Sequence, residues 1–405
     1  MPWKKVGEME LRNEFVVRAK QKGAKISELC LEYGISRSLG YKVLKRYKAE
    51  GVAGIAPRSR KPRSHALEIS AEMVCEVVSL RQQHPTWGAR ILRELLCDRF
   101  SSNEVPSSRT IDRILDRAGL VVKRRRSSGH WLDRDLIQRP NKPNKLWSVD
   151  FKGWWWTKNK SPCFPLTIRD GYSRYILDIR ALAGTSFEST KAAFEKAFEL
   201  YGLPDEILSD NGTPFASVLA IQGLTRLSAW WVKLGIRPRR ILPACPFMNG
   251  SHERMHRDMK AELQKTPLWN LKEEQKRFDD WRHEYNSIRP NQAIGMKRPT
   301  SVYVPSERKF KLEEFDYSTD MELRRTCLRG FISWHQKRCF IAGALNKETI
   351  GLRYEENKML SIWFCELKLG TTTENFDYPL GGNPSGSPYS NRHARNKKVS
   401  TMYWR

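Results

Sequence analysis

The sequence predicts a multidomain chain of α and α/β class, with helix-turn-helix modules first, a mixed-sheet core next and a small C-terminal β domain. Three observations predict it. Apolar residues recur at helical spacing from residue 8 to about residue 118, strand-like and helical runs alternate from about residue 145, and residues 320 to 370 are rich in β-branched and aromatic types broken by Gly and Asn. At 405 residues with 40% hydrophobic and 11% aromatic content, there is apolar material for two or three cores. That excludes a disordered tail protein and a disulfide-stapled miniprotein.

Residues 1 to 55 read as the first helix-turn-helix domain. Ile26, Leu29, Cys30 and Tyr33 follow helical spacing, Gly34-Ile35-Ser36 interrupts it, and Leu39, Val43, Leu44 and Tyr47 resume it. With Ser36 as N-cap and Gly51 as stop, the second helix turns Arg37, Ser38, Tyr41, Lys42, Lys45 and Arg46 away from its apolar stripe, a face suited to a DNA major groove. Residues 56 to 70 form a basic linker in which Arg58, Arg60 and Lys61 are expected to track phosphates. Residues 71 to 126 form a second helix-turn-helix domain, with Ile91, Leu92, Leu95 and Leu96 on one face, a helix from about Ser108 to Ala118, and the basic run Lys123-Arg124-Arg125-Arg126 after it. Residues 127 to 144 are a further linker.

The texture changes in the core, residues 145 to 304. Strands are expected at Leu146 to Phe151, Phe164 to Arg169 and Tyr175 to Ile179, the last two flanking the turn dipeptide Asp170-Gly171. A helix over 186 to 201, a strand over Glu206 to Ser209, a helix near 219 to 234, a strand over Ile236 to Leu242, and helices over 250 to 265 and 272 to 288 complete it. Residues 305 to 370 read as a small β-barrel or sheet, and 371 to 405 as a disordered basic tail.

Charge narrows the class of partner. Lys and Arg number 72 against 45 acids, a net charge of +27, of which residues 1 to 65 carry +10. Such a field attracts a polyanion, and double-stranded DNA is the expected partner. No stretch is apolar enough for a membrane span, the first residues lack a signal-peptide core, and the 8 Cys show no C-x-x-C pair, so a cytoplasmic chain with reduced thiols is expected.

Three acids stand out by position: Asp150 within the first core strand, Asp210 at the end of the fourth before Asn211-Gly212, and Glu253 in the first turns of a helix after Asn249-Gly250. A carboxylate in an otherwise buried strand is costly unless paired or metal-bound, and no Lys or Arg is equally placed to pair with these. Clustered carboxylates repel one another, and divalent cations relieve that while activating water and steadying a leaving oxygen. Oxygen ligands favour Mg²⁺ or Mn²⁺.

The blocks Trp147-Ser148-Val149-Asp150, Ser209 to Phe215 (SDNGTPF) and Asn249 to Lys260 (NGSHERMHRDMK) resemble the DDE transposases of bacterial insertion sequences with a retroviral-integrase-type core. His84 to Arg90 resembles their second DNA-binding module, Leu227 to Ile236 a stretch of one subgroup, and Ser287 to Val304 the segment that closes the core. Phe247-Met248 departs from the pattern, in which polar residues precede Asn249-Gly250. The resemblance implies a ribonuclease-H-like core in which Asp150, Asp210 and Glu253 are catalytic and hold two Mg²⁺ or Mn²⁺ ions for in-line phosphoryl transfer. It also implies that Asn211 and Asn249 shape the loops, that the substrates are element ends and target DNA, and that the working assembly is a dimer or larger. His256, Arg257 and Lys260, at i+3, i+4 and i+7 from Glu253, are placed to clamp a phosphate.

Two readings compete with it. His252-Glu253-Arg254-Met255-His256 matches the zinc-protease pattern H-E-x-x-H, although no third ligand is evident and charged residues crowd its helix. A DNA-binding regulator with an inactive core is the other. Asp170 and Asp178 have ordinary structural roles as turn and strand-end residues. Trp154-Trp155-Trp156 are of a type that can stack on bases, yet adjacent strand residues alternate faces, so some must pack inward, and packing is their expected role.

Overall fold

A computed structural model of the chain describes residues 7–57, 69–121, 139–217, 220–241, 246–263, 266–356, 359–376 and 403–404. Arg58, Arg60, Lys61 and the run Lys123 to Arg126 lie outside the described residues, as does most of the expected tail. The chain divides into two compact units, Met1–Ser70 and Ala71–Arg405.

The first unit is three helices, α1 (Glu8–Ala19), α2 (Ile26–Glu32) and α3 (Arg37–Glu50), closed by a 3-10 turn at Gly51–Ile55. Phe15, Val16, Leu29, Cys30, Val43 and Ile55 form its core. Ser36 caps α3 as expected, accepting from the Leu39 N–H at 3.2 Å. The buried line of α3 runs through Gly40 and Val43, while Leu39 is exposed. Gly40 sets this rotation: a Cβ there would stand 2.5 Å from Cys30 Sγ, so only glycine lets α3 approach α2 this closely.

The second unit starts with α4 (Ala71–Gln83), α5 (Ala89–Cys97) and α6 (Ser108–Arg117), with Ser107 capping α6 through the Thr110 N–H. This second module is fastened to the core. His84 pairs with Glu284 at 2.8 Å, Thr86 bonds Glu262, and Arg289 lies over the Trp87 ring.

The core sheet has β1 (Leu146–Phe151), β2 (Trp155–Trp156), β3 (Pro162–Asp170), β4 (Ile176–Leu182), β5 (Glu206–Ser209) and β6 (Arg237–Arg240). β3 is antiparallel to β1, β2 and β4, and β1, β5 and β6 are parallel. Helices α7 (Phe187–Tyr201) and α8 (Arg226–Lys233) cover one face, and α9 (Gly250–Leu263) and α10 (Leu271–His283) cover the other. Alternation along the strands sorts the side chains: Trp147, Val149, Leu166 and Ile168 pack toward α7 and α8, while Cys163 and Ile179 pack toward α9 and α10, joined by Ile176 through the register shift in β4 at Leu177. This is the mixed sheet expected of a ribonuclease-H-like core.

α8 is shorter than its apolar sequence suggests. Residues Ile221–Gly223 form a separate 3-10 turn, and Thr225 caps the helix by accepting from Ser228 N–H, so the helix cannot begin before Arg226. Beyond α10 the helix widens at Glu284–Ile288.

The C-terminal part is antiparallel: β7 (Glu322–Arg325), the hairpin β8 (Phe331–Trp334) and β9 (Lys337–Phe340), then β10 (Thr349–Tyr354), β11 (Met359–Phe364) and β12 (Leu367–Thr373), with β13 (Tyr403–Trp404) paired to β12. β12 runs three residues into the expected tail. These strands share one apolar cluster with Ile221, Leu224, Ala229 and Val232 of the core, and Lys233 pairs with Glu348 at 3.0 Å.

Candidate active site

β1 and β5 are parallel, so their carboxyl ends lie at one edge of the sheet, and Asp150 and Asp210 are both at that end. Gly212 N–H holds Asp210 Oδ1 at 3.1 Å, and the Asn211 side chain donates to the Ile241 carbonyl at 2.8 Å, which ties the loop after β5 to the end of β6. A Cβ on Gly212 would meet the same carboxylate at 3.1 Å. Asn249 is buried at the start of α9.

Helical periodicity splits α9 into two faces. His252, Met255, His256, Met259 and Leu263 are buried, and Glu253, Arg257 and Lys260 are exposed. His256, expected beside the last two as a phosphate clamp, instead turns inward: it is 5% exposed and engaged by the sheet. The reason is its i+4 relation to His252, which places both imidazoles over β3.

There Thr167, itself fully buried, acts as a hub. Its Oγ1 donates to the Asp150 carbonyl at 2.9 Å and stands 2.7 Å from both His252 Nε2 and His256 Nε2. A hydroxyl has one proton, so with that proton on the carbonyl both imidazoles must donate to Thr167 from Nε2. His252 Nδ1 is then an acceptor, served by Ser148 Oγ at 2.8 Å. Burial lowers both imidazole pKa values, that of His256 to about 3, so both rings are neutral. His256 Nδ1 therefore faces Asp150 Oδ2 at 3.5 Å as an uncharged nitrogen, and the two do not form an ion pair. With both His252 nitrogens engaged and the rings packed edge to face at 4.6 Å, the H-E-x-x-H pattern does not present a zinc site.

Asp150 is the electrostatic centre. Burial first, and the charges of Asp210 and Glu253 after it, push its pKa up to about 7, against the opposing effects of the Phe151 N–H and Lys152. The three carboxylates thus share one electrostatic neighbourhood. Among the described residues, no three Asp, Glu, His or Cys side chains stand close enough together to enclose an ion. A largely buried carboxyl raised by the charges of two others fits a hard divalent cation by charge and, with three carboxylates in the set, by ligand type. Lys152, whose pKa is lowered by burial and by the charge of Lys260, brings a second cation to the same edge.

The rival acids are occupied. Asp170 accepts from the backbone N–H groups of Asn144 and Ser173 and from Ser173 Oγ, and Asp178 pairs with Arg180 at 2.7 Å and Arg282 at 3.6 Å. In the first unit Arg37, Tyr41, Lys42 and Lys45 are exposed along α3, and Arg46 is half-buried. Sequence reasoning missed Thr167 and Ser148; hydroxyls inside a buried strand were the available signal.

An integrase core domain family matches residues 140–246, and a second integrase core domain family matches 234–299. A homeodomain-like domain matches 40–115 and a helix-turn-helix domain 14–63. An uncharacterized 39.2 kDa protein of insertion element IS476 from Xanthomonas euvesicatoria is 27% identical over 267 residues, 65% of this chain and 74% of the relative. An uncharacterized 31.7 kDa protein of insertion element IS407 from Burkholderia multivorans is 26% identical over 231 residues, 56% of this chain and 79% of the relative. The HTLV-2 integrase catalytic core domain in complex with magnesium is 18% identical, covering 40% of this chain and 97% of that one, with a TM-score of 0.29. Among the described residues, no helix is long and apolar enough to cross a membrane.

Proposed function

Because the chain belongs to the insertion-sequence transposases with an integrase-type core, we propose that it binds the terminal inverted repeats of its element, cuts DNA strands there and joins them to target DNA. Asp150, Asp210 and Glu253 are the catalytic carboxylates, and they hold two Mg²⁺ or Mn²⁺ ions. Bound there, such ions supply an activated water or 3′-hydroxyl and relieve charge on the departing oxygen.

The chain's own residues do the rest. The Thr167 hub fixes α9 to β3, and through the Asp150 carbonyl to β1, so the backbones bearing Glu253 and Asp150 keep one relative position. Arg257 and Lys260, exposed on the Glu253 face, offset the charge of the scissile phosphate together with Lys152. The exposed basic residues of α3 and the second helix-turn-helix unit bind the element ends. Two ends must be held together, which calls for a dimer or larger assembly.

The carrying observation is that the parallel strands β1 and β5 bring Asp150 and Asp210 to one end of the sheet, where the charges of Asp210 and Glu253 both act on the Asp150 carboxyl. The test uses the full chain and supercoiled plasmid bearing the element ends with Mg²⁺ or Mn²⁺. Strand nicking is expected, and it disappears in Asp150→Asn and in Glu253→Gln. Nicking that persists in both variants refutes the assignment; binding without any cutting by the unaltered chain establishes a regulator instead.

A further inference from the structure

Of the three consecutive tryptophans, only Trp155 is used by the core: it is 8% exposed, and its indole N–H donates to Glu274 at 3.2 Å. Trp154 and Trp156 are 51% and 54% exposed. Their planes are fixed. Trp154 lies on Phe164 of β3 with ring centroids 5.9 Å apart and planes 24° from parallel, and Trp156 stands at 87° to it with centroids 5.3 Å apart. Two large apolar side chains held in place and left half in water mark an interaction surface.

Position and charge identify what it receives. The pair follows directly on the carboxyl end of β1, the edge that carries Asp150, with Lys152 between. Phe164 is three residues along β3 from Thr167, the register partner of Asp150, or roughly 10 Å of strand. Lys158 and Lys160 are exposed in the loop after Trp156, Lys260 lies close to Lys152, and none of these four lysines has an ion pair among the described residues. Fixed indoles interleaved with unpaired ammonium groups suit a nucleic-acid strand whose bases are free to stack, while a paired duplex shows its base faces only at its ends.

We propose that Trp154 and Trp156 form a stacking platform for unpaired bases of the DNA strand beside the point of cleavage. This rests on the DNA-cleaving reading for its purpose, but binding can be measured without cutting. The platform gives an opened strand end a second hold besides phosphate contacts, and it requires no particular base, because every base has a stackable face.

The test uses the full chain, a fluorescent oligodeoxythymidine of about 20 nucleotides and a blunt duplex of the same length, read by anisotropy. Trp154→Ala with Trp156→Ala is expected to weaken binding of the oligodeoxythymidine by about tenfold and of the duplex by less than about twofold. Trp154→Phe with Trp156→Phe is expected to restore most of the single-strand affinity, which a loss through misfolding would not. Equal weakening on both probes, or no weakening on either, overturns the proposal. A change in subunit number on sedimentation with unchanged oligodeoxythymidine binding also overturns it, assigning the surface to a second copy of the chain. Nicking that survives in Asp150→Asn sinks the cleavage reading and leaves the two affinities as the measure of the platform.

Discussion

Replacing Thr167 by Val keeps the shape of the side chain and removes the hydroxyl on which β3, Asp150 and α9 meet. The change leaves two buried imidazole N–H groups without their acceptor and the Asp150 carbonyl without its side-chain donor. Each buried polar group left unmade costs about 1–3 kcal/mol, so the two ring donors alone place the loss at about 2–6 kcal/mol. Thr167→Ser keeps the hydroxyl and loses one methyl, for about 1 kcal/mol. Urea unfolding of both variants measures the difference, and the Mn²⁺ concentration for half-maximal nicking measures whether Glu253 has moved. Val should raise that concentration several-fold and Ser should leave it near the unaltered value. If Val unfolds within about 0.5 kcal/mol of the unaltered chain, or Ser is as damaging as Val, the hub does not hold the helix.

Two further predictions address the charge of the site and the first unit. Asp150, raised from 3.8 to about 7, favours the folded state when protonated, so without divalent metal its contribution is present below about pH 4 and lost as pH rises toward 7, a span worth at most about 4 kcal/mol. Thermal unfolding should therefore show Mn²⁺ raising Tm more at pH 8 than at pH 5, with Asp150→Asn flattening the difference; a metal effect independent of pH in the unaltered chain refutes this. Gly40→Ala forces a Cβ against Cys30 Sγ and should destabilise the first unit by about 1–3 kcal/mol, costing preference for element ends in competition binding while nicking of plain plasmid continues. Equal loss of both activities would contradict a separate recognition role.

The residues readable from sequence were those whose chemistry is costly in the place the pattern puts them. Asp150 in a buried strand and Ser36 before a helical run announce themselves, since a carboxylate needs a cation and a helix start needs an acceptor. Other features depended on which way a periodic element is turned. The spacing on α9 put His256 three positions from Glu253 without fixing which part of the helix would be sunk, and the two imidazoles went in together because β3 offers them a hydroxyl. A single glycine shifted the buried line of α3 from Leu39 to Gly40, a close approach that apolar periodicity does not register. For Trp154 to Trp156, alternation foretold that neighbours would part; that the outer pair would be the one in water followed from Trp155 finding Glu274 on α10, a partner 119 positions away.

The interior joining Ile221, Leu224, Ala229 and Val232 to the outer strands sets how small a folded fragment this chain can yield. Severing it after Val304 would bare Ile221, Leu224, Ala229 and Val232 to water, an apolar wall that invites association. A shortened chain must therefore keep the outer strands through Thr373 with the core, and α4 to α6 as well, since His84, Thr86 and Trp87 are engaged by Glu284, Glu262 and Arg289.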